Sequence, residues 1–216
     1  MSAPEPGMSK HRIDALTDGI FAVAMTLLVI ELKIPEALHV KTNPELIEAL
    51  VHLIPKFIGW VISFLVLSLF WWGHHRAFAN VRHVDGKLIA LNIGFLGFVS
   101  FMPFASALTG EYQRTLASQV IYAGTMFSVS IFAQLIWRYI HRHPELCSVP
   151  MSTGEFAGAR ARTFMLMAIC VLSVAIAIVI PGGGNMAFMF MGFAGAIGRR
   201  VQMRIANQAD HQATPK

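Results

Sequence analysis

Arg12 and Asp18 stand six residues apart at the start of the apolar stretch RIDALTDGIFAVAMTLLVIEL, Arg12 to Leu32. A guanidinium and a carboxylate can hold one another, bind an ion or pass a proton, and Thr17 and Thr26 add hydroxyl oxygens to the same stretch. After Asp18 no charge appears until Glu31, so the uncharged run Gly19 to Ile30 is twelve residues long. Crossing a bilayer core takes roughly twenty residues of helix. A span built on this segment therefore carries Asp18, and with it Arg12, at or below the headgroup boundary. Ionisable groups at that depth face protein or water, and they are functional candidates by default.

A second group lies in FWWGHHRAF, where Trp71, His74 and Phe78 share one helix face at spacings of three and four. A buried Asp18 needs a cationic partner. Arg12 is nearly two turns away on its own helix, so His74 on a neighbouring span is the alternative. Such a cluster reads first as a structural tie and second as a pH-sensitive latch, because histidine titrates near neutrality. No metal site is expected at His74-His75, since no cysteine or carboxylate stands at ligand spacing nearby.

Along the first span Val23, Leu27, Ile30 and Ile34 fall at i, i+4, i+7 and i+11, a single apolar stripe, with Thr26 beside it. Ordinary helix packing would produce such a stripe. So would the wall of a narrow path.

These residues sit in a chain built for lipid. Of its 216 residues 55% are hydrophobic and 13% charged, against about 25% charged in a soluble domain. Mean hydropathy is +0.57. Six apolar stretches can be marked: Asp14–Ile34, Ile54–Gly73, Leu88–Leu108, Ser118–Ile140, Thr163–Ile180 and Met186–Val201. Pro35, Pro55, Pro144 and Pro181 punctuate their ends, and Pro181-Gly182-Gly183-Gly184 allows only a tight reversal between the last two. The expected organisation is a short disordered tail over 1–9, a six-helix transmembrane domain over 10–204 and a C-terminal cytoplasmic tail over 205–216.

Of the seventeen Lys and Arg, only Lys33, Lys41, Lys56 and Arg114 fall on one side of these spans; the other thirteen lie at the two termini and the second and fourth connections. This bias puts both termini in the cytoplasm, as an even number of spans requires. The pI near 9.6 is thus a topology signal, and nucleic acid is not an expected partner. Cys147 and Cys170 give neither a disulfide framework nor metal-ligand spacing. Apart from the Arg–His–Asp group, the spans hold almost nothing titratable, so an enzyme is not expected and neither is a cofactor.

The first span resembles the signature of the transmembrane-protein-175 family of potassium channels, the lysosomal channel of animals and its bacterial relatives. Arg12, then Leu16-Thr17-Asp18, then Gly19-Ile20-Phe21-Ala22-Val23-Ala24-Met25-Thr26-Leu27-Leu28 follow that pattern, with Leu16 and Thr17 replacing Phe and Ser. Trp71-x-x-His74-x-x-x-Phe78 and the run Asn92 to Phe101-x-Pro103-Phe104 resemble its second and third motifs. The second half of the chain matches only in span count and hydropathy. The resemblance implies an all-α polytopic membrane protein of six transmembrane helices per subunit. Four copies form a homotetramer with the first helix lining a central pore, in a bacterial inner membrane.

It further implies a potassium-permeable channel with a constriction at Val23, Leu27 and Ile30 and a selectivity position at Thr26. Arg12, Thr17, Asp18, Trp71, His74, Phe78 and Asn92 then form a structural or gating cluster, and potassium ions and the lipid bilayer are the partners. Rings of Val, Leu and Ile gate by dewetting, because a methyl group returns nothing to an ion stripped of water. The alternatives are a secondary transporter or a proton-conducting membrane protein. A transporter usually shows inverted repeats and charges near the midplane, and no repeat is visible here.

Overall fold

The computed structural model describes residues 9–30, 32–34 and 40–213. Its elements are all helical: α1 Lys10–Ile30, α2 Asn43–Phe78, α3 Gly86–Glu111, α4 Leu116–Arg142, α5 Thr153–Val179 and α6 Met191–Ala213. Short 3₁₀ segments, Pro144–Leu146 and Gly184–Phe190, precede α5 and α6. The expected tail over 1–9 lies, except for Ser9, outside the described residues. The expected tail over 205–216 is helical as far as Ala213.

The helix starts are set locally. Glu45 accepts the backbone N–H groups of Lys41 and Thr42 at 2.7 and 3.0 Å, fixing the entry to α2. Asp85 caps α3 by accepting Leu88 N–H at 2.8 Å. Ser152 and Glu155 form a capping box at the start of α5. Gly182 takes φ +90°, a left-handed conformation that only glycine adopts without strain, and so turns the chain between α5 and the following segment.

Two expectations are corrected. The second span was placed at Ile54–Gly73 with Pro55 at its edge, yet α2 runs 36 residues with Pro55 inside it. At 1.5 Å per residue it is about 54 Å long, well beyond a bilayer core of about 30 Å. Its first turns, bearing Glu45 and Glu48, are therefore helix that lies before the expected start at Ile54. The sixth span, Met186–Val201, is not one helix. Its first residues belong to the 3₁₀ segment, and among the described residues five helices, α1 to α5, are long and apolar enough to cross a membrane. α6 fails that test because Arg199, Arg200, Arg204, Asn207 and Asp210 make its second half polar.

α1 packs against α3 and α2, α3 against α4, α4 against α5 and α5 against α6. Phe21, Phe95, Leu67, Met102, Met126 and Ile136 are fully buried between these layers. α5 and α6 meet at glycines, where a Cβ on Gly158 would stand 2.8 Å from Gly198 O. At the same end the α2–α3 and α4–α5 loops are stitched together by Arg82 N–H to Leu146 O at 2.7 Å and Ser148 N–H to Asn80 O at 2.8 Å.

Candidate functional site

α1 has two faces of opposite character. Ile13, Thr17, Phe21, Ala24 and Leu28 recur every three or four residues and are buried against α2 and α3. On the other side Leu16, Val23, Leu27 and Ile30 are 44, 57, 41 and 50% exposed. The stripe marked in the sequence is thus the face that the rest of the chain leaves uncovered. Thr26 lies on that side too. Its hydroxyl lies 2.9 Å from both Ala22 O and Val23 O, so its proton is committed to the helix backbone. Only the oxygen lone pairs face outward, which is the polarity a cation needs.

The polar residues of α1, α2 and α3 meet at the start of α1. His74 Nε2 lies 2.7 Å from Asn92 Oδ1, and Asn92 Nδ2 donates to Thr17 Oγ1 at 3.2 Å. All three residues are buried, and Asn92 is completely so. One chain of hydrogen bonds therefore crosses three helices. In low dielectric such a chain is strong when complete and costly when broken. Phe78 and Phe95 both stack on the His74 ring, with centroids at 4.3 and 5.4 Å. The rings hold the imidazole plane, so the bond to Asn92 has one geometry.

The structure brings together Thr17, Trp71, His74, Phe78 and Asn92, but it assigns the partners differently. Asp18 is exposed and accepts from Trp71 Nε1 at 2.9 Å, not from a cation. It shares a recess of about 160 Å³ with Thr17, Trp71 and His74 yet forms no bond to His74. Arg12 is exposed and does not line that recess; the cation there is Lys10, 3.4 Å from Asp14. An exposed carboxylate keeps its water and needs no counter-ion, which removes the reason for an Arg–Asp–His triad.

Sequence reasoning missed Phe95, one turn after Asn92 on α3. It also missed the link of Ser63 to Ser106 and Tyr122 at 2.8 and 2.9 Å across α2, α3 and α4. Lone serines in an apolar run carry no signal until their neighbours are known. Among the described residues no group of His, Cys, Asp and Glu could hold a metal ion.

Residues 12–103 match the model of the family described as the endosomal/lysosomal potassium channel TMEM175. A protein of Chamaesiphon minutus named as a potassium channel is 36% identical over 143 residues, 64% of this chain and 69% of that one. A Streptomyces collinus protein of the same name is 35% identical over 136 residues, 61% of this chain and 64% of that one. The bovine endosomal/lysosomal proton channel TMEM175 is 33% identical over 139 residues, 29% of its length. In fold, the chain is similar to the crystal structure of a lysosomal potassium-selective channel TMEM175 homolog from Chamaesiphon minutus. The TM-score is 0.56 at 24% identity, covering 92% of this chain and 96% of that one.

Proposed function

The chain belongs to the family of the endosomal/lysosomal potassium channel TMEM175, and on that premise we propose that it is a potassium-permeable channel whose pore is walled by α1. It is a multi-pass membrane protein and not an enzyme. The observation that carries the pore reading is the uncovered face of α1. Val23, Leu27 and Ile30 are about half exposed in a helix whose opposite face is buried. One copy of that stripe cannot enclose a path. Four copies around an axis give stacked rings of branched apolar side chains, a dry neck, with a ring of Thr26 oxygens between them. A neck with no fixed charge favours the ion that sheds its water more easily, which is potassium over sodium.

The Thr17–Asn92–His74 chain then acts as the brace that sets the angle of α1 against α2 and α3. Residues 10–204 form one channel domain in this reading. The 3₁₀ segment Gly184–Phe190 and the first half of α6 together make the sixth crossing, which returns the chain to the arginine-rich side. Thirteen of seventeen Lys and Arg on that side place both termini in the cytoplasm of a bacterial cell.

Bovine TMEM175 is named as a proton channel, so the test separates the ions. Purified protein in liposomes is given potassium, sodium or proton gradients one at a time. Potassium flux without a second ion supports the channel; flux that strictly requires a coupled ion refutes it. Leu27→Asn hydrates the neck, so it raises potassium current and lowers the preference over sodium. Unchanged current and preference in Leu27→Asn would move the pore off this face.

A further inference from the structure

A cavity of about 400 Å³ opens where α2, α4, α5 and α6 meet, and one arginine from each of three helices lines it: Arg76, Arg162 and Arg199. Arg162 is the unusual member. It is ten residues into α5, about 13 Å from the first residue along the axis, deeper than a charge that only marks a helix end. Its stem crosses α6 at Gly198, where an added Cβ would lie 2.3 Å from Arg162 Cγ. Its guanidinium lies 6.0 Å from the centre of the Trp137 ring. The absence of a side chain at Gly198 thus lets Arg162 reach the cavity between two packed helices.

Among the described residues none of the three guanidiniums has an ion pair or a hydrogen bond. Glu155 shares a smaller recess with Arg76 without pairing to it, and its carboxylate instead accepts from Ser152 N–H. Arg76 and Arg162 are half-buried and Arg199 is exposed. Three like charges lining one cavity repel one another, and an anion from outside the chain would relieve that repulsion. The rest of the wall, including Leu69, Phe70, Ile136 and Leu166, is mostly apolar, with His74 and Thr163 as its polar members. A free anion would leave that wall wet. An anion carried on an apolar body would cover it.

We infer that this cavity binds the phosphate headgroup of an anionic phospholipid, with Arg76, Arg162 and Arg199 holding the phosphate oxygens and the apolar wall meeting the glycerol and first acyl carbons. Guanidinium forks match phosphate oxygens in pairs, and basic pockets between helices at the cytoplasmic side are suited to such headgroups. The inference needs only that the bundle is embedded in lipid, so its readout is binding and does not depend on conduction.

The test uses the full-length protein in mixed phosphatidylglycerol–phosphatidylcholine nanodiscs, extracted into detergent and read by native mass spectrometry for retained lipid. The parent and Arg200→Gln, an exposed arginine outside the cavity, retain phosphatidylglycerol over phosphatidylcholine. Each removed cavity arginine lowers that preference by roughly fivefold, and Arg162→Gln with Arg199→Gln abolishes it. If the double variant does not elute as a monodisperse species, Arg76→Gln on another helix carries the same test. Equal retention of the two lipids by the parent, or an unchanged preference in the double variant or in Arg76→Gln, overturns the site. Loss of retained phosphatidylglycerol on adding inorganic phosphate overturns the lipid assignment in favour of a free anion.

Discussion

The first three helices and the last two are joined by different means. Between α1, α2 and α3, position is fixed by side-chain hydrogen bonds running Thr17 to Asn92 to His74. Between α5 and α6 the join is made by removing side chains, with Gly158 and Gly198 backbones in direct approach. Bonds fix an angle and a register; glycines fix only a distance. The helix proposed to line the pore is held by the first means, and α5 and α6, which carry Arg162 and Arg199, by the second.

Four measurements probe that difference. Gly158→Leu forces bulk against Gly198 O, which stands 2.8 Å from an added Cβ, and backbone cannot yield as a flexible side chain can. Thermal unfolding in detergent should show a loss of about 3 kcal/mol. A loss under about 1 kcal/mol would mean the α5–α6 contact is loose. Asn92→Leu removes the middle of the polar chain and strands His74 and Thr17 without partners in a buried site, costing about 2 kcal/mol. If Asn92→Leu is neutral, the chain is not a brace.

Asp85→Ala tests a peripheral bond of the same region. Burial pushes the Asp85 carboxyl up, but hydrogen bonds from the Tyr139 hydroxyl and Leu88 N–H, with His143 nearby, outweigh it and hold the carboxyl below its ordinary range. A depressed carboxylate stabilises above its unfolded pKa and loses that effect as pH falls through its folded pKa. The difference between parent and Asp85→Ala should be about 1 kcal/mol at neutral pH. It should close on the acid side of the normal carboxylate range, and a pH-independent difference would contradict the assignment. Trp71→Phe is the mildest. Asp18 is exposed and water replaces the lost indole donor, so the cost is about 0.5 kcal/mol. A cost equal to that of Asn92→Leu would show that Asp18 is covered in the assembled protein.

The sequence carried much of the first region. A run of twelve uncharged residues after Asp18, and Trp71, His74 and Phe78 on one face, point to the correct helices and the correct end. Periodicity says which side chains share a face. It does not say which neighbour a face meets, so Asp18 was expected beside a cation and found beside the Trp71 indole. The second region was less legible. Hydropathy patterning marks an apolar stretch without its helix type, whereas Gly184–Phe190 is a 3₁₀ segment rising about 2.0 Å per residue. Gly158 and Gly198 are forty positions apart, and nothing in local spacing shows that they touch.

The orientation of the Thr26 hydroxyl has a consequence for protons. A hopping relay needs each oxygen to receive a proton on one side and release another on the opposite side. Thr26 has its only hydrogen turned inward to Ala22 O and Val23 O. Each transfer through it would first have to break that bond and rotate the group. A metal cation in a path along this face would ask for no hydrogen and would find the lone pairs already turned outward. In a ring of four such residues, preference for a dehydrated cation over a hopping proton would follow from the direction of one O–H bond, without any charged group.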